Sequence, residues 1–209
     1  MKNKELRLKY AAGISLMEVL VTMLIILIGL LGIVALQAKA QVAELEAYQR
    51  SQALILLSDI VDRINVNRKT ATCFNITTNT AVGTPYLGVS TGGGHYTPPS
   101  CTAGTAAYNT MAVNTLADID TLLQGSAESM GGSNVGAMLG ARACISYDSS
   151  TVLNSVPGTG LYTVIVTWQG MSALTAPTGM KCAVGLYQTD GLDTKRRAVA
   201  ASFRLANLD

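Results

Sequence analysis

Residues 13–18 read GISLME, so a carboxylate stands five residues after a glycine and directly before VLVTMLIILIGLLGIVALQA, a run from Val19 to Ala38 with no charge. Glu18 is the first residue whose chemistry needs a reason, because a carboxylate at bilayer depth is costly and normally paired. Its plainer alternative is a side chain that snorkels to the headgroups. Further along, Cys73, Cys101, Cys144 and Cys182 make an even count. None of them forms a C-x-x-C or His-rich pattern, so the spacing speaks against zinc. The one histidine, His95 in GGGHYTPP, has no nucleophile or acid placed in pattern with it. General-base chemistry is therefore not expected of it. Asp118 and Asp120 in ADIDT offer oxygens for calcium, with acids near a helix N-terminus as the ordinary explanation. GTPYLGVSTGGG lacks the lysine of a phosphate loop. No active site, cofactor site or metal site is expected.

The elements around Glu18 decide what it is for. As a helix, Val19–Ala38 is ~30 Å long, the thickness of a bilayer's hydrocarbon core. Upstream, Lys2, Lys4, Arg7 and Lys9 outweigh Glu5, and a short basic flank stays cytoplasmic. A cleaved secretory signal is the competing reading. The apolar run is too long for it, however, carries a carboxylate near its start and is followed by no clean small-residue cleavage site. Instead QAKAQVAELEAYQRSQALILLSDIVDRINVNRK continues without Pro or Gly. One helix of about 54 residues is predicted, apolar on all sides at first and amphipathic from Lys39. Its stripe is predicted through Val42, Leu45, Leu54, Leu57, Val61 and Ile64. Gly29 and Gly32 permit close helix approach or local melting.

A basic leader ending in Gly13, an apolar residue after it, Glu as the fifth residue beyond, and an uninterrupted helix together resemble the class III signal of type IV pilins and of type II secretion pseudopilins. The resemblance implies cleavage between Gly13 and Ile14 by a membrane-embedded aspartyl peptidase, the prepilin peptidase, and N-methylation of Ile14. Most members begin with Phe, where this chain has Ile14. The resemblance also implies that Glu18 meets the new amino terminus of a neighbouring subunit and sets the axial register of a filament. Such an amine has an ordinary pKa of ~7.7–8 and supplies the cation.

Beyond the helix the composition turns to Thr, Gly, Asn and Ser, and residues 73–113 are expected to be loops with at most short strands. A second helix is predicted at NTLADIDTLLQG, with Asn114 as N-cap, Leu116, Ile119, Leu122 and Leu123 on one face, and Gly125 as its stop. ARACISY, LYTVIVTWQG and RRAVAASFRL are predicted strands, the second with Tyr162, Val164, Val166 and Trp168 alternating with Thr163, Ile165, Thr167 and Gln169. KCAVGLYQ is a fourth candidate. Arg196 and Arg197 are expected on a solvated edge that discourages sheet-to-sheet pairing. The fold class is α+β and pilin-like: a long N-terminal helix, transmembrane in its first half, packed on a small antiparallel sheet domain. The expected segments are a leader at 1–13, a transmembrane half-helix at 14–38, an amphipathic half-helix at 39–67 and an extracytoplasmic globular domain at 68–209.

Four cysteines outside the cytoplasm favour disulfides, and three pairings are open. The preferred one is Cys73–Cys101, clamping the Gly/Thr-rich segment, with Cys144–Cys182 tying sheet elements together. The second half of the chain is similar to PilV-type minor pilins, which act in pilus modification or initiation. That resemblance implies an inner-membrane, single-pass protein with a periplasmic domain, later part of an extracellular pilus at or near its tip. It implies roles in priming assembly and in support of motility, adhesion or DNA uptake. Its implied partners are other minor pilins, the major pilin, the prepilin peptidase and the inner-membrane assembly platform. The alternative is a minor pseudopilin of type II secretion. Loss of the leader takes the net charge from +2 to about −1, so no direct nucleic-acid binding is expected.

Overall fold

The computed structural model describes residues 13–97, 101–126, 129–131, 133–134, 138–187 and 192–206. Leader residues 1–12 lie outside them. The chain divides into two compact units between Glu44 and Leu45, inside a single helix.

That helix, α1 (Leu16–Val66), begins where the Ser15 carbonyl accepts the Glu18 and Val19 N–H groups. It runs 51 residues, ~77 Å at 1.5 Å per residue. No proline precedes Pro85, and the helix continues through Gly29 and Gly32, so the glycines cause no melt. In the first unit its side chains are almost all exposed, and its most apolar stretch has a mean hydropathy of 3.1 with none of it buried. It is long and apolar enough to cross a membrane.

In the second unit, Ala53, Leu57, Ile60 and Ile64 of α1 are buried at three- and four-residue spacing. The predicted stripe shares only Leu57 and Ile64 with this line, while Val61 is partly buried beside it. Leu45 and Leu54 are about half exposed, and Leu54 lies roughly 90° round the helix from the buried line. Ala53 and Ile60 complete the seam.

A 3₁₀ segment, Arg68–Phe74, follows α1, and then come β1 (Leu87–Gly88) and α2 (Ala106–Leu123). Two short strands, β2 (Ser129–Met130) and β3 (Ser133–Asn134), pair with each other. β4 (Arg142–Asp148), β5 (Leu161–Gln169) and β6 (Arg196–Arg204) match the three predicted strands within a residue or so at each end. The main sheet is antiparallel in the order β1-β4-β5-β6, with Ile145 opposite Val164 and Val166 opposite Val199. Tyr162, Val164, Val166 and Trp168 of the central strand point into one core with the α1 seam and with Ala112, Leu116, Ile119 and Leu123 of α2.

Two predictions fail locally. Asn114 is not an N-cap: α2 starts two turns earlier after Thr105, where Asn109 accepts the Gly104 N–H and donates to the Gly104 carbonyl. Its stop at Gly125 (φ +88°) is as expected, the Gly125 N–H donating to Leu122. KCAVGLYQ is not a strand over its described residues, 181–187, because Ala183 (φ +50°) and Gly185 (φ +85°) turn the chain back on itself. Cys182, Ala183 and Tyr187 pack with Tyr86 and Cys144 in a second cluster, with Ile165 partly buried against it. The fourth strand is β1.

Candidate functional site

Gly13 and Ile14 precede the first turn of α1, and Ile14 is 77% exposed. Glu18 sits in that first turn, where the helix dipole favours an anion. It too is exposed and makes no ion pair among the described residues. A carboxylate at the start of a bare apolar helix, with no ion pair among the described residues, is suited to meeting a cation from another molecule.

The disulfides are Cys73–Cys101 and Cys144–Cys182. The first ties the end of the 3₁₀ segment to the approach of α2. The second joins β4 to the 181–187 loop, across spans of 28 and 38 residues respectively.

His95 and Asp120 come together, Nε2 to Oδ1 at 2.8 Å, although nothing in the sequence paired them. Asp120 Oδ1 also accepts the Gly88 N–H at 2.7 Å, and Oδ2 accepts from Gln124. Both oxygens are thus occupied in fastening β1 to α2. Asp118 and Asp120 lie near the C-terminal end of α2, so dipole stabilisation does not explain them. Asp118 approaches Arg63 of α1 at 3.9 Å. Among the described residues no group of three or more His, Cys, Asp or Glu side chains is placed to hold a metal.

The solvated edge expected of Arg196 and Arg197 is also overturned. Arg196 and Asp193 form an ion pair at 3.0 Å with each side chain only 4% exposed. Arg196 donates further to the Met180 and Pro177 carbonyls, and Asp193 accepts the Gly185 N–H. Burial is repaid by full use of both charged groups, which fix the loop between β5 and β6. Arg197 donates to Glu46 of α1 (3.3 Å) and to the Ser172 carbonyl, while Glu46 accepts the Ser172 N–H. The Ser172 N–H, aided by Arg197, holds the Glu46 carboxyl below its ordinary value. This ties helix, loop and sheet at one point.

Arg142 is a further residue that sequence reasoning passed over. Buried in β4, it lies between the rings of Tyr86 and Tyr187 at 5.2 and 5.0 Å and donates to the Gly140 and Thr91 carbonyls. An arginine placed among the apolar residues of ARACISY was its only signal.

Residues 35–122 match the family described as type IV pilin Tt1218. The match is to type IV pilins. It begins inside the apolar part of α1 and ends within α2, less than half of the chain, and the fold around it is pilin-like: a long N-terminal helix, apolar in its first half, whose second half packs in one core with a small antiparallel four-stranded sheet. No curated protein and no solved structure matches the chain.

Proposed function

We propose that the chain is a minor subunit of a type IV pilus, of the PilV kind, that acts in priming filament assembly at or near the tip. The observation that carries the proposal is the combination of a pilin family match with a bare apolar helix whose first turn holds Glu18, a carboxylate with no ion pair among the described residues. In this reading the basic leader keeps the N-terminus cytoplasmic, and the prepilin peptidase cuts between Gly13 and Ile14. Ile14 is methylated, and residues 14–38 hold the subunit in the inner membrane with its domain in the periplasm. The sites of both disulfides would then be oxidising, as their persistence requires. On extraction, Glu18 meets the amino terminus of an adjacent subunit, either another minor pilin or the major pilin, at the assembly platform. Mutual neutralisation removes two charges from an apolar surrounding and sets the axial position of the subunit.

A strain lacking the chain separates this from the secretion alternative. Loss of surface pili with secretion intact supports the proposal. Normal piliation with a secretion defect assigns the chain to a pseudopilus instead.

A further inference from the structure

The two disulfides sit in unlike surroundings. Cys144 and Cys182 are 2% and 0% exposed, inside the second cluster with Tyr86 and Tyr187. Backbone covers them. The Gly83 carbonyl lies 3.3 Å from the Cys144 sulfur, and the Ala183 and Val184 N–H groups donate to the carbonyls of Gly83 and Val82. A Cβ added at Gly83 would collide with the Cys182 backbone, so this segment lies directly on the bond. Cys144 borders a cavity of about 170 Å³, but Cys182 does not line it.

Cys73 and Cys101 are only partly buried, and both line a cavity of about 530 Å³. Thr72, Asn75, Thr78, Tyr96 and Thr102 share its wall, and no described residue of that wall is charged. Exchange begins when a thiolate attacks a disulfide sulfur, so its rate depends on access. In this cavity a thiolate finds room beside both cysteines and no carboxylate to repel it. At Cys144–Cys182 it meets backbone.

The two arms of this bond are held unequally. Cys73 lies in the 3₁₀ segment between Ala71 and Phe74, both buried in the main core. On the other arm no residue from Cys101 to Met111 is fully buried, and the buried line of α2 begins at Ala112. Thr105 makes no side-chain cap bond there. Besides the disulfide, this arm is held by the Asn109 amide on Gly104, by Gly104 close against Thr70, and by Lys69 lying 5.4 Å over the Tyr108 ring. A stretch with so few buried apolar contacts opens at low free energy. Leu116, Ile119 and Leu123 keep the rest of α2 in the core.

We infer that Cys73–Cys101 is a site of thiol–disulfide exchange with a dithiol protein, and that opening it frees residues 101–111 while the sheet, Cys144–Cys182 and the rest of α2 stay in place. First, the thiolate of the dithiol bonds one of the two sulfurs, and the other leaves as a thiolate and takes up a proton. The second thiol of the dithiol then loses its proton, attacks its partner's sulfur and closes a disulfide, releasing the remaining cysteine to be protonated. Cys73 and Cys101 thus gain two electrons and two protons, and the dithiol loses them. The reverse sequence closes the bond again. The surface around Tyr108 and Met111, 44% and 45% exposed in the closed form, is thereby set by redox state. The exchange site does not rest on the pilin reading, which bears only on the compartment that supplies the dithiol.

The test uses the unaltered full chain in detergent micelles without denaturant. It is treated with dithiothreitol, quenched with an alkylating agent at successive times and mapped by peptide mass spectrometry. Cys73 and Cys101 should be alkylated together, about tenfold or more faster than Cys144 and Cys182. Amide exchange of the half-reduced chain should rise across 101–111 and stay unchanged across Leu116–Leu123 and Leu161–Gln169. A thioredoxin-like protein in its C-x-x-S form, which keeps the attacking cysteine and lacks the resolving one, should be captured on Cys73 or Cys101. Equal reduction of the two pairs, earlier reduction of Cys144–Cys182, or failure to capture a mixed disulfide would overturn the inference. So would loss of protection throughout the domain when Cys73–Cys101 opens. Each of these outcomes leaves the pilin reading untouched.

Discussion

Replacing Arg196 with methionine keeps most of the side chain's volume but leaves the Asp193 carboxylate, 4% exposed, without its counter-ion. It also strips donors from the Pro177 and Met180 carbonyls. Removing one partner of a buried ion pair costs about 3–5 kcal/mol, because the remaining charge stays desolvated. For a domain of this size that is on the order of 10 °C in melting temperature. Asp193→Asn retains an acceptor for the Gly185 N–H while removing the charge. The double variant should therefore be more stable than the sum of the single losses predicts, by about 1–3 kcal/mol. Denaturant unfolding of the detergent-solubilised chain measures this through Trp168, the single tryptophan, which is 3% exposed in β5 beside β6. A loss under about 1 kcal/mol for Arg196→Met, the range of an exposed ion pair, would refute the reasoning. So would strict additivity in the cycle.

Three other outcomes follow from the same geometry. The Glu46 carboxyl is held below its ordinary 4.5 when folded, so its contribution is present above that value and lost as pH falls through the lower folded value. Stability–pH curves of wild type and Glu46→Gln should accordingly differ at neutral pH and converge in acid; a constant gap would exclude the effect. Removing either disulfide should cost about 3–4 kcal/mol in the chain-entropy model for spans of 28 and 38 residues. Non-reducing peptide mapping that finds Cys73 joined to Cys144 would contradict the connectivity. Glu18→Ala should leave export and leader cleavage intact, yet reduce recovery of the cleaved subunit in purified pili, and undiminished recovery would make the carboxylate a bystander.

The three long strands are legible in the sequence because half-burial imposes a period of two, as Tyr162, Val164, Val166 and Trp168 show. The apolar half of α1 is legible because nothing interrupts it. The N-terminus of α2 is not: Thr105 makes no side-chain cap bond, and the start is fixed by Asn109 folding back onto Gly104 and by the nearby disulfide. β1 is invisible for a related reason, since two residues carry no period and their place depends on Asp120, 32 residues away from Gly88. Arg196 and Arg197 mislead because type alone says exposed. Whether an arginine is buried depends on carboxylates and carbonyls brought to it by loops, here Asp193, Glu46 and Ser172. Glu18, by contrast, stands out from residue type and position alone, as a charge at the head of an apolar helix.

Mass spectrometry of the chain's N-terminus in sheared surface filaments tests the central claim most directly. The account predicts a subunit that begins at methylated Ile14, retains the apolar half of α1 and is present in the fibres, with Gly13→Leu blocking its maturation. A chain that still begins at Met1 in cells with active prepilin peptidase, or one that has lost the apolar segment altogether, would contradict it.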